Sequence, residues 1–297
     1  MLPEKVNICE VGPRDGLQNE KVFVPTDVKV ELINRLSNCL LNYIEIGSFV
    51  SPDWVPQMKD GEKLLKLISK KSNTVYPYLV PNLKGLSKAL ENGVKNICVF
   101  TTASESFSKK NTNCSIEESL IRIENILAIA KKEGLLVRGY ISCVLGCPYE
   151  GSISFTRTAN LASTLINLGC YQVSLGDTIG YGTPNKVIEL LNEVKRKVNI
   201  NQIAIHFHDT YGQALANIYA ALQLGIRNID ASVGGLGGCP YAEGAKGNVA
   251  TEDVVYMLNG MGIKTGLNLK EIVRTAFYIY DFLDKTPSSR VALAMKK

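Results

Sequence analysis

Residues 115–144 read SIEESLIRIENILAIAKKEGLLVRGYISCV and contain the repeating unit of this chain. Ser115 is placed to cap a helix, because a serine hydroxyl accepts from the free N–H groups of a first turn. Behind it, apolar residues at 116, 120, 123, 126, 127 and 130 line one face at helical spacing. Gly134 follows the last turn, where a helix commonly ends in a left-handed residue. Residues 137–144 are then short and apolar, as a buried strand is.

The same order of helix, glycine and strand returns at Gly93, Gly169 and Gly225. Apolar runs at 6–9, 43–46, 74–79, 96–100, 137–144, 172–175, 203–207 and 228–233 are the expected strands. Helical spacing also marks 26–41, with apolar positions 28, 32, 33, 36 and 40 and Thr26 as the expected cap. Eight such units predict an α/β protein, a (β/α)8 TIM barrel whose right-handed crossovers put the helices outside. Barrels of roughly 250 residues fold as one unit. Residues 1–297 are therefore expected to form a single barrel domain, with 266–297 as a C-terminal helical extension built around a helix at 269–283. An open doubly wound sheet is the alternative, but it would carry a glycine-rich dinucleotide fingerprint after the first strand, and none follows residue 9.

The 297 residues are 45% hydrophobic and 21% charged, which supplies a sizeable core and gives no case for disorder. The net charge is +5, but the basic pairs Lys70-Lys71, Lys109-Lys110 and Lys131-Lys132 are scattered. Nucleic-acid binding needs a basic stripe with interleaved aromatics, so it is not expected. A mild positive excess suits a polyanionic small ligand. No run approaches the ~18 apolar residues of a spanning helix, so no membrane partner is expected. Eight cysteines form no C-x-x-C pair, as in a reducing compartment, and a cytoplasmic location is the expectation.

The only two histidines are His206 and His208, in residues 203–209, IAIHFHD. Residues two apart on a strand point the same way. At the C-terminal end of a seventh barrel strand both imidazoles would face the mouth where barrel active sites lie, within reach of one metal ion. A pair of satisfied histidines is the other reading of His-x-His alone. Two further polar clusters lie beyond predicted strands. Residues 10–18, EVGPRDGLQ, set a cation beside a carboxylate on a glycine-bounded turn. Residues 234–248, GGLGGCPYAEGAKGN, hold more glycine than a connector needs, as a lid or a backbone surface close to a ligand does.

Residues 12–20 (GPRDGLQNE), 48–58 (SFVSPDWVPQM), 206–217 (HFHDTYGQALAN) and 234–253 (GGLGGCPYAEGAKGNVATED) resemble the 3-hydroxy-3-methylglutaryl-coenzyme A lyase family, and the likeness runs over essentially the whole chain. The resemblance implies retro-Claisen cleavage of the acyl-CoA thioester to acetyl-CoA and acetoacetate. It also implies a divalent cation, Mg2+ or Mn2+, held by Asp15, His206, His208 and Asn248. Two nitrogens and two oxygens suit such an octahedral ion with positions left open for substrate. By the same resemblance Asp15 is also the base for the hydroxyl proton. Arg14 faces the thioester carbonyl, and Glu45 is a supporting or proton-relay carboxylate. Cys239 is the acid that protonates the acetyl carbanion, brought to it by closure of its glycine-rich loop. Arg138, Tyr140 and Asp177 are expected near substrate, and a homodimer is implied.

A condensing synthase of the same superfamily would share the metal site but usually adds a C-terminal domain. A lyase for a related acyl-CoA shares every feature above. A non-catalytic metal-binding barrel predicts loss of Arg14 or Cys239, and both are present.

Overall fold

Asn7 pairs with Asn228 and Glu10 with Ala231, joining the first strand of the chain to the last. The computed structural model describes residues 1–238 and 247–296. Within them lie β1 (Asn7–Glu10), β2 (Gly47–Ser48), β3 (Tyr78–Leu79), β4 (Asn96–Thr102), β5 (Leu136–Ser142), β6 (Gln172–Asp177), β7 (Ile203–Phe207) and β8 (Asn228–Ala231), all parallel and each beside its chain neighbour. Closure comes at Glu10, whose N–H donates to the Tyr43 carbonyl (3.0 Å) while its own carbonyl accepts from Glu45 N–H (2.9 Å). The expected barrel is the observed one.

Around it run α1 (Thr26–Asn38), α2 (Gly61–Leu67), α3 (Leu83–Glu91), α4 (Glu105–Thr112), α5 (Ile116–Lys132), α6 (Phe155–Leu168), α7 (Pro184–Val194), α8 (Ala214–Gln223), α9 (Thr251–Gly260), α10 (Leu269–Phe282) and α11 (Arg290–Ala294). Ser115 caps α5 as expected, in a reciprocal box with Glu118. Thr26 does not cap α1. Pro25 occupies that place, and the Thr26 hydroxyl donates instead to Asp60 at 2.9 Å. Gly93, Gly134, Gly169 and Gly225 all have positive φ, as their places before the strands predicted.

Strands two and three depart from expectation. Regular pairing is confined to Gly47–Ser48 and Tyr78–Leu79, downstream of the 43–46 run and at the end of the 74–79 run. Pro77 has no N–H to give to the ladder, which interrupts β3 before Tyr78. Residues 43–46 divide their hydrogen bonds between both neighbours, Ile44 N–H going to Val75 and Glu45 N–H to Glu10.

Alternation along each strand sorts side chains into two layers. Outward residues such as Ile97, Val137, Ile141, Val173, Leu175, Ile205 and Ile229 join the helices in the main apolar core. The barrel interior is unusually polar for a space that Val, Ile and Leu commonly fill. It holds Glu45, Arg138, Tyr140, Ser174 and Asp230, all buried and mutually hydrogen-bonded, beside the small apolar group Leu79, Cys98 and Tyr140. α10 lies on α1, where the Arg35 guanidinium sits 4.5 Å from the Tyr278 ring and the Tyr278 hydroxyl donates to the Val28 carbonyl. Ser288 N–H then donates to the Gly234 carbonyl, tying the C-terminal segment to the base of the glycine-rich loop. No helix among the described residues is long and apolar enough to cross a membrane.

Candidate active site

Beyond β1 the chain makes a wide π-type turn, Gly12–Gly16, in which Asp15 and Gly16 N–H both reach the Val11 carbonyl. A Cβ at Gly12 would lie 2.6 Å from Glu10 Oε1, the atom that accepts from Gly12 N–H, so a side chain there would push Glu10 aside. The turn presents Arg14 and Asp15 side by side at the C-terminal mouth. Arg14 Nε and Nη2 donate to the two oxygens of Glu45 at 2.8 and 3.0 Å, and Nη1 donates to Asp15 Oδ1 at 2.6 Å. The Tyr140 hydroxyl also donates to Glu45 Oε2, at 2.7 Å.

His206 lies on β7 and His208 just past it, their ring centroids 5.4 Å apart. His206 Nε2 is 3.7 Å from Asp15 Oδ2, and its Nδ1 is 3.3 Å from Asp230 Oδ2. One ligand atom each from Asp15, His206 and His208 falls within 4.8 Å of the others. His208 Nδ1 is buried with no hydrogen-bond partner among the described residues. A carboxylate and two imidazoles, one with an orphaned nitrogen, are a donor set that fits a divalent cation. Asn248 joins the group through its amide nitrogen, which donates to Asp15 Oδ2 at 2.9 Å and to the Leu236 carbonyl at 3.1 Å. All four residues singled out as ligands thus converge.

Burial opposes ionisation of Asp15, yet Arg14, His206 and the Asn248 amide outweigh it and hold the carboxyl at about 2. Burial likewise disfavours a charged His206, but the Asp230 hydrogen bond and Asp15 raise its pKa above the usual value. His208 has less compensation and is pushed down to about 4 by burial and by His206. The centre is therefore anionic at Asp15 and cationic at Arg14, with imidazoles of unequal basicity between.

A cavity of about 780 Å³ opens above this group; Arg14, Asp15, Tyr140, His206 and His208 line its depth, and Trp54, Lys110 and Arg122 line it farther out. Tyr140, expected near substrate, is on the wall of this cavity. Arg138 and Asp177 do not line this cavity. Arg138 is fully buried below it, paired with Asp230 and bonded to Gln172 and Tyr140. The Asp177 carboxylate holds its own loop, accepting from Tyr181 and Gly182 N–H, and burial pushes it up to about 6. Cys239 lies outside the described residues. The chain on either side of it does meet, Gly247 N–H donating to the Gly237 carbonyl at 3.2 Å.

Asp230 was missed by sequence reasoning. The signal available was a lone acid between Ile229 and Ala231, inside a buried strand.

The HMGL-like family model matches residues 5–279. The cytoplasmic 3-hydroxy-3-methylglutaryl-CoA lyase of Rattus norvegicus is 54% identical over 296 residues, covering 100% of this chain and 86% of the relative. The mitochondrial hydroxymethylglutaryl-CoA lyase of Gallus gallus is 53% identical over 293 residues, covering 99% of this chain and 98% of the relative. The crystal structure of hydroxymethylglutaryl-CoA lyase from Pseudomonas aeruginosa superposes with a TM-score of 0.97 at 52% identity, covering 99% of this chain and 98% of that one. With its barrel, its Arg14–Asp15 turn and its histidine pair in place, the chain belongs to the HMGL-like family, among the hydroxymethylglutaryl-CoA lyases.

Proposed function

We propose that the protein cleaves 3-hydroxy-3-methylglutaryl-CoA to acetyl-CoA and acetoacetate, using Mg2+ or Mn2+ held by Asp15, His206, His208 and Asn248. The observation that carries the reading is the convergence of Arg14, clamped by Glu45, with Asp15 and both histidines at one barrel mouth.

The reaction breaks the C2–C3 bond. The 3-hydroxyl must lose its proton to become the ketone of acetoacetate, and C2 leaves as the enolate of acetyl-CoA. When bound, the cation orients the substrate and acidifies its hydroxyl; the largest effect of this kind is ~8 pKa units, for water on zinc. Asp15, ionised at neutral pH, accepts the hydroxyl proton; so weak a base depends on the acidification that a bound cation would give the hydroxyl. Arg14 stands where enolate charge grows on the thioester oxygen, with Glu45 fixing its plane. Glu45 and Tyr140 form a hydrogen-bonded route behind it for proton movement. Cys239 supplies the proton to C2, since a thiol with a free pKa of ~8.5 is mostly protonated at neutral pH. Farther out, exposed Lys110 and Arg122 suit the phosphates of a coenzyme A arm. Arg138 acts beneath the floor, and Asp177 shapes the loop after β6 rather than touching substrate.

Reducing conditions fit the free thiols of all seven described cysteines, so cytoplasmic work belongs to the proposal. The homodimer implied by the family is also part of it, checked by light scattering of the purified chain. Acetoacetate release from the thioester with Mg2+ or Mn2+ and a thiol reductant tests the function; no product over a panel of metals would sink it.

A further inference from the structure

The charged interior of the barrel exceeds what the reaction above uses. Asp230, on β8, is 2% exposed, and donors surround its carboxylate: Arg138 Nη2 (2.7 Å) at Oδ1, Arg138 Nη1 (3.1 Å) and Ser174 Oγ (2.8 Å) at Oδ2. His206 Nδ1 faces the same Oδ2 at 3.3 Å. Pairing with Arg138 keeps this carboxylate ionised, so it only accepts. The imidazole nitrogen facing it must therefore carry the hydrogen. In the neutral ring that leaves a lone pair on Nε2, and Nε2 faces Asp15 Oδ2 at 3.7 Å. Two electron-pair donors turned toward each other suit a cation between them.

His208 has no such lock, because its Nδ1 meets no partner among the described residues. The two histidines are thus inequivalent: one is set by the fold, and the other is free to adjust.

We infer that Asp230 is a positioning residue that holds His206 in its Nδ1–H tautomer and so aims Nε2 at the metal position, with Arg138 and Ser174 fixing the carboxylate. This rests on the metal-binding reading of the site. Carboxylates behind ligating histidines fix ring orientation and tautomer, and their loss typically costs roughly 10- to 100-fold in metal affinity. In Asp230→Asn, Arg138 keeps the amide oxygen, so the NH2 group turns to His206 Nδ1 and donates. That selects the Nε2–H tautomer, with a hydrogen where the cation should bind.

The test is nitrogen NMR of the imidazoles in the metal-free protein, with the pH raised until the ring shifts stop moving and both rings are neutral, together with calorimetric titration with Mn2+. The chain has only two histidines, so the spectrum is simple. The unaltered protein should show His206 as Nδ1–H, and Asp230→Asn should shift it to Nε2–H and weaken Mn2+ roughly 10- to 100-fold. If the single variant fails to fold with Arg138 unpaired, the charge-balanced Arg138→Gln/Asp230→Asn variant replaces it and should still bind Mn2+ weakly. Unchanged tautomer or Mn2+ affinity in Asp230→Asn, or full recovery in the double variant, would overturn the assignment. The tautomer needs no metal. An unaltered protein that binds no Mn2+ would defeat the metal reading, whereas His206 found as Nε2–H in it would defeat this one.

Discussion

Arg14 and Glu45 meet fork to fork, Nε to Oε1 at 2.8 Å and Nη2 to Oε2 at 3.0 Å, both side chains buried at the barrel mouth. The third arm of the guanidinium holds Asp15. One cation thus fixes the base proposed for the hydroxyl and is itself fixed in plane. Lysine has the charge without the fork. Arg14→Lys should therefore lower kcat by about 100- to 1,000-fold, the usual cost of losing one oriented donor to a developing oxyanion. Mn2+ affinity measured by calorimetry should fall far less. A kcat within threefold of the unaltered protein would remove Arg14 from the enolate site.

Glu45 is fully buried, and its carboxylate also accepts from Tyr140. Removing it leaves the buried Arg14 guanidinium with Asp15 alone and takes the acceptor from the Tyr140 hydroxyl. Breaking a buried pair on one side costs about 3–5 kcal/mol. Glu45→Ala should lose stability of that order in urea unfolding, and the Arg14→Met/Glu45→Ala double variant should recover part of it. Additive losses would mean that the two residues do not act as a unit.

The barrel was legible because the phrase in residues 115–144 repeats and because Ile203–Phe207 is apolar apart from His206. Strands two and three blurred for a physical reason: Pro77 removes a ladder donor, and residues 43–46 bond to both neighbouring strands. Arg14, Asp15, His206 and His208 were visible because each stands just inside or beyond the end of a strand-like run. Asp230 was not. Its partner Arg138 is 92 residues away, and pairs that cross a barrel interior leave no local pattern. Arg138 was therefore expected near substrate, on its place in a predicted strand, rather than paired across the interior.

Burial pushes Glu10 up to about 7 and Glu252 up to about 8, against 4.5 for an ordinary glutamate. Glu10 bonds Gly12 and Val233 N–H and the Thr251 hydroxyl, and Glu252 bonds Gly234 N–H, so both hold the loops that carry the site. In each case the folded state keeps a proton that the unfolded chain releases above 4.5. Their stabilisation is full below 4.5 and is lost as pH rises to about 7 and about 8. The Tm of the metal-free protein should fall between pH 5 and pH 8, and Glu252→Gln should flatten that slope. A slope unchanged in Glu252→Gln would remove this residue as its source.

Metal holding and proton delivery are assigned to different residues, Asn248 closing the glycine-rich stretch at the cation and Cys239 within it serving C2, which makes them separable. His206 is within ligand range of Asp15 and His208, whereas Cys239 belongs to the loop whose flanks meet at Gly237 and Gly247. A thiol that only delivers a proton to C2 contributes to turnover and not to the cation. Cys239→Ala should therefore lower kcat by about 100-fold or more, within the range typical of general acids, while Mn2+ affinity stays within a few-fold. His206→Ala should weaken Mn2+ itself, and excess metal should restore part of its activity. Supplied metal should do nothing for Cys239→Ala. Equal loss of Mn2+ binding in the two variants would mean that Cys239, too, builds the cation site and that the division is wrong.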